Sequence, residues 1–276
     1  MLFRRIILSA LFVGVLTGLL LSAIQLFMVN PIIFAAEAFE APAEVPELKA
    51  EAQLQLSLAH TEHSHSEHLP SEMSQSSEAN TDPHGHSHSH ESWAPEDGAE
   101  RTLFTVLSNI LAGIGFSAVI LSLMSQMQSH GIGSLTMLKG SLWGAAGFLA
   151  FFVAPGIGLP PEIPGVEAAA IEYRQLWWLL AVFGVGLGIF ILVFASLKYK
   201  ILGLISILIP YLMSIPHQDG PAFAHPNPAV VNQLMALHQQ FILASGFTNL
   251  IFWILLGTLS AWSLNRYIYK GLNVNA

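Results

Sequence analysis

The chain has 276 residues, of which 53% are hydrophobic and 10% charged, with a formal net charge of −8 and no cysteine. So much apolar surface exceeds what one soluble core of this length buries, which excludes an ordinary soluble domain and predicts a membrane protein. Without cysteine, disulfides and thiolate ligands are excluded, so any bound metal must rely on nitrogen and oxygen donors.

The first apolar run extends without a charge from Ile6 to Val29, behind Arg4 and Arg5. It is long enough to cross the roughly 30 Å of a hydrocarbon core. Cleaved signal peptides have apolar cores of only about 7 to 15 residues, and Phe34-Ala35-Ala36 fits a small-x-small cleavage site poorly, so the run is read as a retained helix. Gln25 near its end reads as interhelical glue. Glu37 and Glu40 follow Asn30-Pro31 at a spacing that faces one side of a continuing helix, which makes them candidates for cation contact on a pathway.

Between about Ala41 and Glu100 the chain is rich in Glu, Ser, His, Pro and Ala. It has too little apolar surface to offset the entropy of ordering and is expected to be a long disordered loop. Within it lie His60, His63, His65 and His68, then His84, His86, His88 and His90, interleaved with carboxylates. An extended chain with alternating His brings several imidazoles to one cation without a preformed pocket, so these eight are candidate metal ligands.

Further apolar runs follow at Leu103 to Met127, Leu135 to Ala154, Leu176 to Leu197, Ile201 to Ile215 and Phe241 to Leu264. The predicted fold is an all-α membrane protein of about six transmembrane helices. Its three parts are a first helix with its outer extension (1–40), the His/Glu-rich periplasmic loop between helices 1 and 2 (41–100), and a five-helix bundle (101–276). The run from Ile201 to Ile215 falls below the usual minimum of about 17 residues and contains Pro210, so it is read as a short or broken helix.

If all six runs cross, Arg4, Arg5, Lys139, Lys198, Lys200, Arg266 and Lys270 share one side, and only Lys49, Arg101 and Arg174 the other. The positive-inside rule then places both termini in the cytoplasm. The same topology puts every Asp and Glu, and every His except His130, on the outer face. Such a surface concentrates cations, an effect that weakens with salt.

The last outer loop supplies the candidates for an ordered site. Pro216-His217-Gln218-Asp219-Gly220-Pro221 limits the backbone around two donors, His217 and Asp219. His225 lies between Ala224 and Pro226, and His238 is expected about one turn before the final span; each has an ordinary turn or interfacial role as its alternative. His130 reads as a surface residue. Gly140 with Gly144, and Gly184 with Gly188, form small-xxx-small patterns for close helix packing.

There is no Walker loop, no His-Glu-x-x-His motif and no Gly-x-Ser-x-Gly elbow, so an enzyme is not expected. Phe3-Arg4-Arg5, the stretch from Gln25 to Pro31 leading to Glu37 and Glu40, Trp143-Gly144-Ala145-Ala146-Gly147-Phe148 running into Pro155-Gly156, and Pro216-His217 together resemble the CbtA family. That resemblance covers most of the chain outside the loop. It implies a subunit of a bacterial inner-membrane cobalt transporter serving cobalamin synthesis, associated with CbtB, a small single-span partner with a His-rich end.

The expected cargo is a divalent metal: cobalt first, with nickel and zinc also allowed by imidazole donors. No organic cofactor and no nucleic-acid partner are expected, only membrane lipid and the small subunit. In the expected mechanism outer Glu and His residues collect the ion, and His217, Asp219 and His238 pass it into the bundle beside Glu37 and Glu40. The alternative is a metal-sensing or metal-buffering membrane protein without translocation.

Overall fold

The computed structural model describes residues 2–40, 95–96, 98–131, 135–217 and 220–269. His60, His63, His65, His68, His84, His86, His88, His90 and Asp219 therefore lie outside the described residues. Among those described there is no strand, only an isolated bridge between Val166 and Phe223. The helices are α1 (Leu2–Met28), α2 (Asn30–Glu37), α3 (Ala99–Ser129), α4 (Met137–Phe148), α5 (Ala154–Gly158), α6 (Ile171–Phe194), α7 (Lys200–Leu212) and α8 (Pro228–Ser263). A π turn at Leu149–Val153 joins α4 to α5, and another at Leu264–Tyr269 extends α8.

Local chemistry sets several boundaries. The Thr136 hydroxyl accepts from the Lys139 amide to cap α4. Asn227 caps α8 by accepting from Ala229, and Pro228 occupies the first helical position, where its missing N–H costs nothing. The final helix thus begins well before the apolar run expected from Phe241. At 36 residues it is about 54 Å long, so its first turns project beyond a hydrocarbon layer of about 30 Å.

Among the described residues, five helical stretches are long and apolar enough to cross a membrane: Leu2–Met28, Ala99–Ser129, Met137–Gly158, Ile171–Phe194 and Pro228–Tyr267. The run from Ile201 contributes α7, whose 13 residues reach only about 20 Å. It nevertheless makes a sixth passage. The turn at Leu197–Tyr199 lies at the end of the bundle that carries the chain termini, whereas Phe223 pairs with Val166 at the opposite, distal end. The chain therefore travels from one end to the other through α7 and then through non-helical residues beginning at Met213, whose backbone is extended.

The bundle consists of three antiparallel helix pairs packed at backbone contact. A Cβ added at Gly14 would overlap the Ile114 backbone, one at Gly144 the Trp253 carbonyl, and one at Gly188 would meet Gly203 O at 2.7 Å. These glycines join α1 to α3, α4 to α8, and α6 to α7. Gly140 and Gly144, and Gly184 and Gly188, have the packing role expected from their spacing.

Burial is inverted relative to a soluble protein. Ser9, Thr17, Ser22, Ser117, Ser125, Ser245, Thr248, Ser260 and Ser263 are buried, while Leu8, Leu11, Leu16 and Leu19 on α1 and Phe183, Leu187, Phe190 and Val193 on α6 are exposed. Small and hydroxylated residues allow helices to meet in lipid, and an exposed apolar shell is stable only there. The chain is a multi-pass membrane protein.

Two of its packed clusters tie several helices to one another. The larger joins α1, α3 and α8 through Val13, Leu121, Met124, Leu256 and Leu264. The smaller caps the distal end, where Ala36, Ile163, Phe223 and Leu234 bring together α2, the α5–α6 loop, the segment before α8 and the first turns of α8.

Candidate functional site

Charge is segregated along the bundle. Among the described residues, Glu37, Glu40, Glu96, Glu100, Glu162, Glu167 and Glu172 all belong to the distal end; Arg4, Arg5, Lys139, Lys198, Lys200 and Arg266 belong to the termini end. The two distal arginines are both matched by carboxylates. Arg101 engages Glu37 through both terminal guanidinium nitrogens, with Nη1 3.0 Å from Oε2, and stacks over Phe34 at 5.3 Å. Arg174 bonds Glu162 across the α5–α6 loop.

This bidentate pairing ties α2 to the start of α3 and occupies both oxygens of Glu37. Glu40, one helical turn on, is exposed and lies beside Gly165, whose φ of 83° turns the α5–α6 loop back toward it. Glu37 and Glu40 therefore have different neighbours, Arg101 for the first and the α5–α6 loop for the second.

The three described histidines of the distal end differ in what their rings have left to offer. A carbonyl oxygen only accepts, so its contact assigns the ring proton. His217 donates from Nδ1 to Ile215 O at 2.9 Å, which in the neutral ring leaves the Nε2 lone pair, on an exposed side chain, without a partner among the described residues. His238 donates from Nε2 to Pro161 O at 2.9 Å and packs edge-on against Phe223, which leaves Nδ1. A backbone carbonyl holding one nitrogen while the other keeps its lone pair is the usual arrangement behind a metal-ligating histidine.

His225 is the reverse case. Its Nδ1 accepts from the Asn227 amide at 3.1 Å, so in the neutral ring the proton lies on Nε2 and no lone pair remains for a metal. The bond serves the turn that leads into the Asn227 cap.

Among the described residues no three His, Asp or Glu side chains come together as a metal-binding group. His217 bonds within its own loop, whereas His238 bonds the α5–α6 loop. An open groove of about 570 Å³ between α1, α2 and α3 is lined by Leu26, Asn30, Phe34, Gly98, Ala99, Thr102, Leu103 and Val106. It presents no His, Asp or Glu and is not part of the candidate site.

Below the distal end, Asn109 donates to Ser22 Oγ at 3.0 Å and to Gln25 Oε1 at 2.6 Å. Gln25 is therefore the interhelical glue its position suggested. Asn109 itself, 84 residues away in sequence, carried no signal that would have paired it. Asn249 bonds its own helix at Ser245 O, and His130 is exposed near Gln126.

The ion pairs of Arg101 and Arg174 also escaped the sequence reading. Their signal was indirect: two arginines on the face where the positive-inside rule leaves few have reason to sit beside carboxylates.

The model of a family described as probable cobalt transporter subunit (CbtA) matches residues 3–265. No curated protein and no solved structure gave a significant match.

Proposed function

The chain belongs to the CbtA family, and from that premise we propose that it is the membrane subunit of an uptake system for a divalent cation, with cobalt as cargo. The observation that carries the reading is the segregation of charge: every described carboxylate lies at the distal end, where the His-rich tract is attached. With Lys and Arg concentrated at the termini end, the distal end faces outward and both termini lie in the cytoplasm of the bacterial inner membrane.

Uptake then has two stages. The tract of His60 to His90 and the neighbouring glutamates raise the local concentration of M²⁺. His217, through Nε2 and with Asp219 two residues on, takes the ion at the mouth of the bundle, and His238 Nδ1 offers a second nitrogen deeper in the cap. Glu37 is assigned to holding the cap through Arg101, whereas Glu40 keeps an exposed carboxylate for passing cations. Nickel and zinc suit the same donors, so selectivity would come from geometry or availability. A small His-rich single-span subunit of the CbtB kind is the expected partner.

The test is uptake of radiolabelled cobalt by cells expressing the His217→Ala, Asp219→Ala double variant at wild-type level. Uptake should fall; an unchanged rate would remove the second stage. The other reading, metal sensing or buffering without translocation, draws support from the backbone contact between α1 and α3 at Gly14, Gly18 and Gly113. Cobalt flux into sealed vesicles, with and without the small subunit, separates the two.

A further inference from the structure

Serine and threonine hydroxyls within membrane helices normally bond back to a carbonyl one turn earlier, which satisfies them in lipid. This chain does so repeatedly: Thr17 to Val13, Ser22 to Gly18, Ser122 to Ala118, Thr248 to Ala244 and Thr258 to Ile254. Ser260 and Ser263 do not. Both are fully buried on α8, and the oxygen of each has no partner among the described residues. The third such atom among the described residues is Oε1 of Gln128, near the end of α3.

Gln128 and Ser263 lie at similar depth, and Ser260 is one turn before Ser263 on the same face of α8. The helices α3 and α8 run in the same direction, and Phe116 packs against Trp253 with ring centroids 4.8 Å apart. From that contact Gln128 is about 18 Å further along α3 and Ser263 about 15 Å along α8, a difference of less than one helical turn. Around them α1, α3 and α8 share one packed cluster, and α8 passes into its π turn at Leu264. π turns recur at functional positions because they displace the backbone from its regular ladder.

Three buried, unpartnered oxygens would each cost about 1–3 kcal/mol if left dry. An amide oxygen accepts only, and a serine hydroxyl both accepts and donates. Their common complement is water, either free or carried by a metal ion.

We propose that Ser260, Ser263 and Gln128 form a hydrated, oxygen-lined site at the termini end of the bundle that receives the translocated divalent cation with part of its water shell. The proposal rests on the transport reading above. A neutral oxygen set binds such an ion weakly, as a release site requires, whereas the imidazoles of the distal end bind it more tightly. The site lies beyond the seam that Gly14 and Gly113 close between α1 and α3.

The chain has no cysteine, so single thiols can be placed without background. Ser260→Cys, Ser263→Cys and, as a dry control one turn away, Leu256→Cys are reconstituted in sealed vesicles and exposed to a membrane-impermeant cationic methanethiosulfonate from each side. Both serine-site thiols should react from the termini side about tenfold faster than the Leu256 thiol, because only a hydrated thiol ionises. Saturating Co²⁺ should slow them. Reaction no faster than the control, or rates indifferent to Co²⁺, would overturn the proposal.

A second measurement does not depend on labelling. The Ser260→Ala, Ser263→Ala double variant should lose about fivefold in cobalt uptake, the equivalent of about 1 kcal/mol, with its melting temperature unchanged or raised because orphan hydroxyls are gone. Wild-type uptake in that variant also overturns the site. Absence of cobalt flux in wild-type vesicles would instead remove the transport reading, and the labelling rates would still report whether the site is hydrated.

Discussion

His217, His225 and His238 look alike in sequence, each a histidine near proline or near a helix start. Their hydrogen bonds divide them: two keep a lone pair, and the third spends it on the Asn227 amide. His225→Ala should therefore leave cobalt uptake within about twofold of wild type, since it removes a turn contact worth about 1 kcal/mol and no ligand. A loss as deep as that of the His217→Ala, Asp219→Ala variant would show that His225 ligates after all. Glu37 behaves as an ion-pair partner. Arg101→Ala should lower the unfolding free energy by about 1 kcal/mol, discounted for partial exposure, while cobalt uptake per folded molecule stays unchanged. Neither distinction was legible in the sequence, because a ring's free nitrogen and a carboxylate's partner depend on backbone atoms and residues brought near only by folding.

Elements were more legible, because hydropathy and length act locally. The apolar runs became helices, and the small-xxx-small glycines became contacts. The spacing found Gly144 but missed Gly14, Gly113 and Gly203, which are packed as closely. Gly144→Val should destabilise the bundle by about 1–3 kcal/mol or more, since the added atoms meet the Trp253 backbone, which cannot swing aside. Gly115→Ala, on the open face of α3 with nothing within 4 Å, should leave the melting temperature unchanged or slightly raised. Thermal unfolding in detergent of the two variants side by side checks both expectations.

The short helix α7 illustrates a subtler case. Its length and Pro210 marked it as broken, but not what holds the broken end. Trp177 donates from its indole to Pro210 O at 3.1 Å, and Tyr211 donates its hydroxyl to Ala154 O at 2.8 Å, next to Pro155. These side-chain bonds tie the end of α7 to α6 and to the start of α5. Tyr211→Phe should cost about 1 kcal/mol, seen as a lower melting temperature with the fold retained.

At the scale of the whole molecule, the His-rich tract and the bundle have separable tasks in the proposed mechanism. Deleting residues 60–90 should reduce cobalt uptake when metal is scarce and leave it near wild type when metal is abundant. Loss at every concentration, with the protein still in the membrane, would move the tract from collector to obligatory site. The collecting effect should also weaken as ionic strength rises, because exposed charges are screened beyond about 8–10 Å in physiological salt.

The sequence by itself determined that this is an all-α membrane protein, how its charges divide between the two ends, and which family it resembles. Those properties follow from hydrophobicity, helix length and charge order, all of which are carried along the chain. Only the tertiary structure decided that Arg101 holds Glu37, that Asn109 answers Gln25, that His225 has spent its lone pair, and that Ser260, Ser263 and Gln128 lack partners. Hydrogen bonds reach about 3 Å, and the groups that satisfy or orphan a polar atom meet only when helices far apart in sequence pack together.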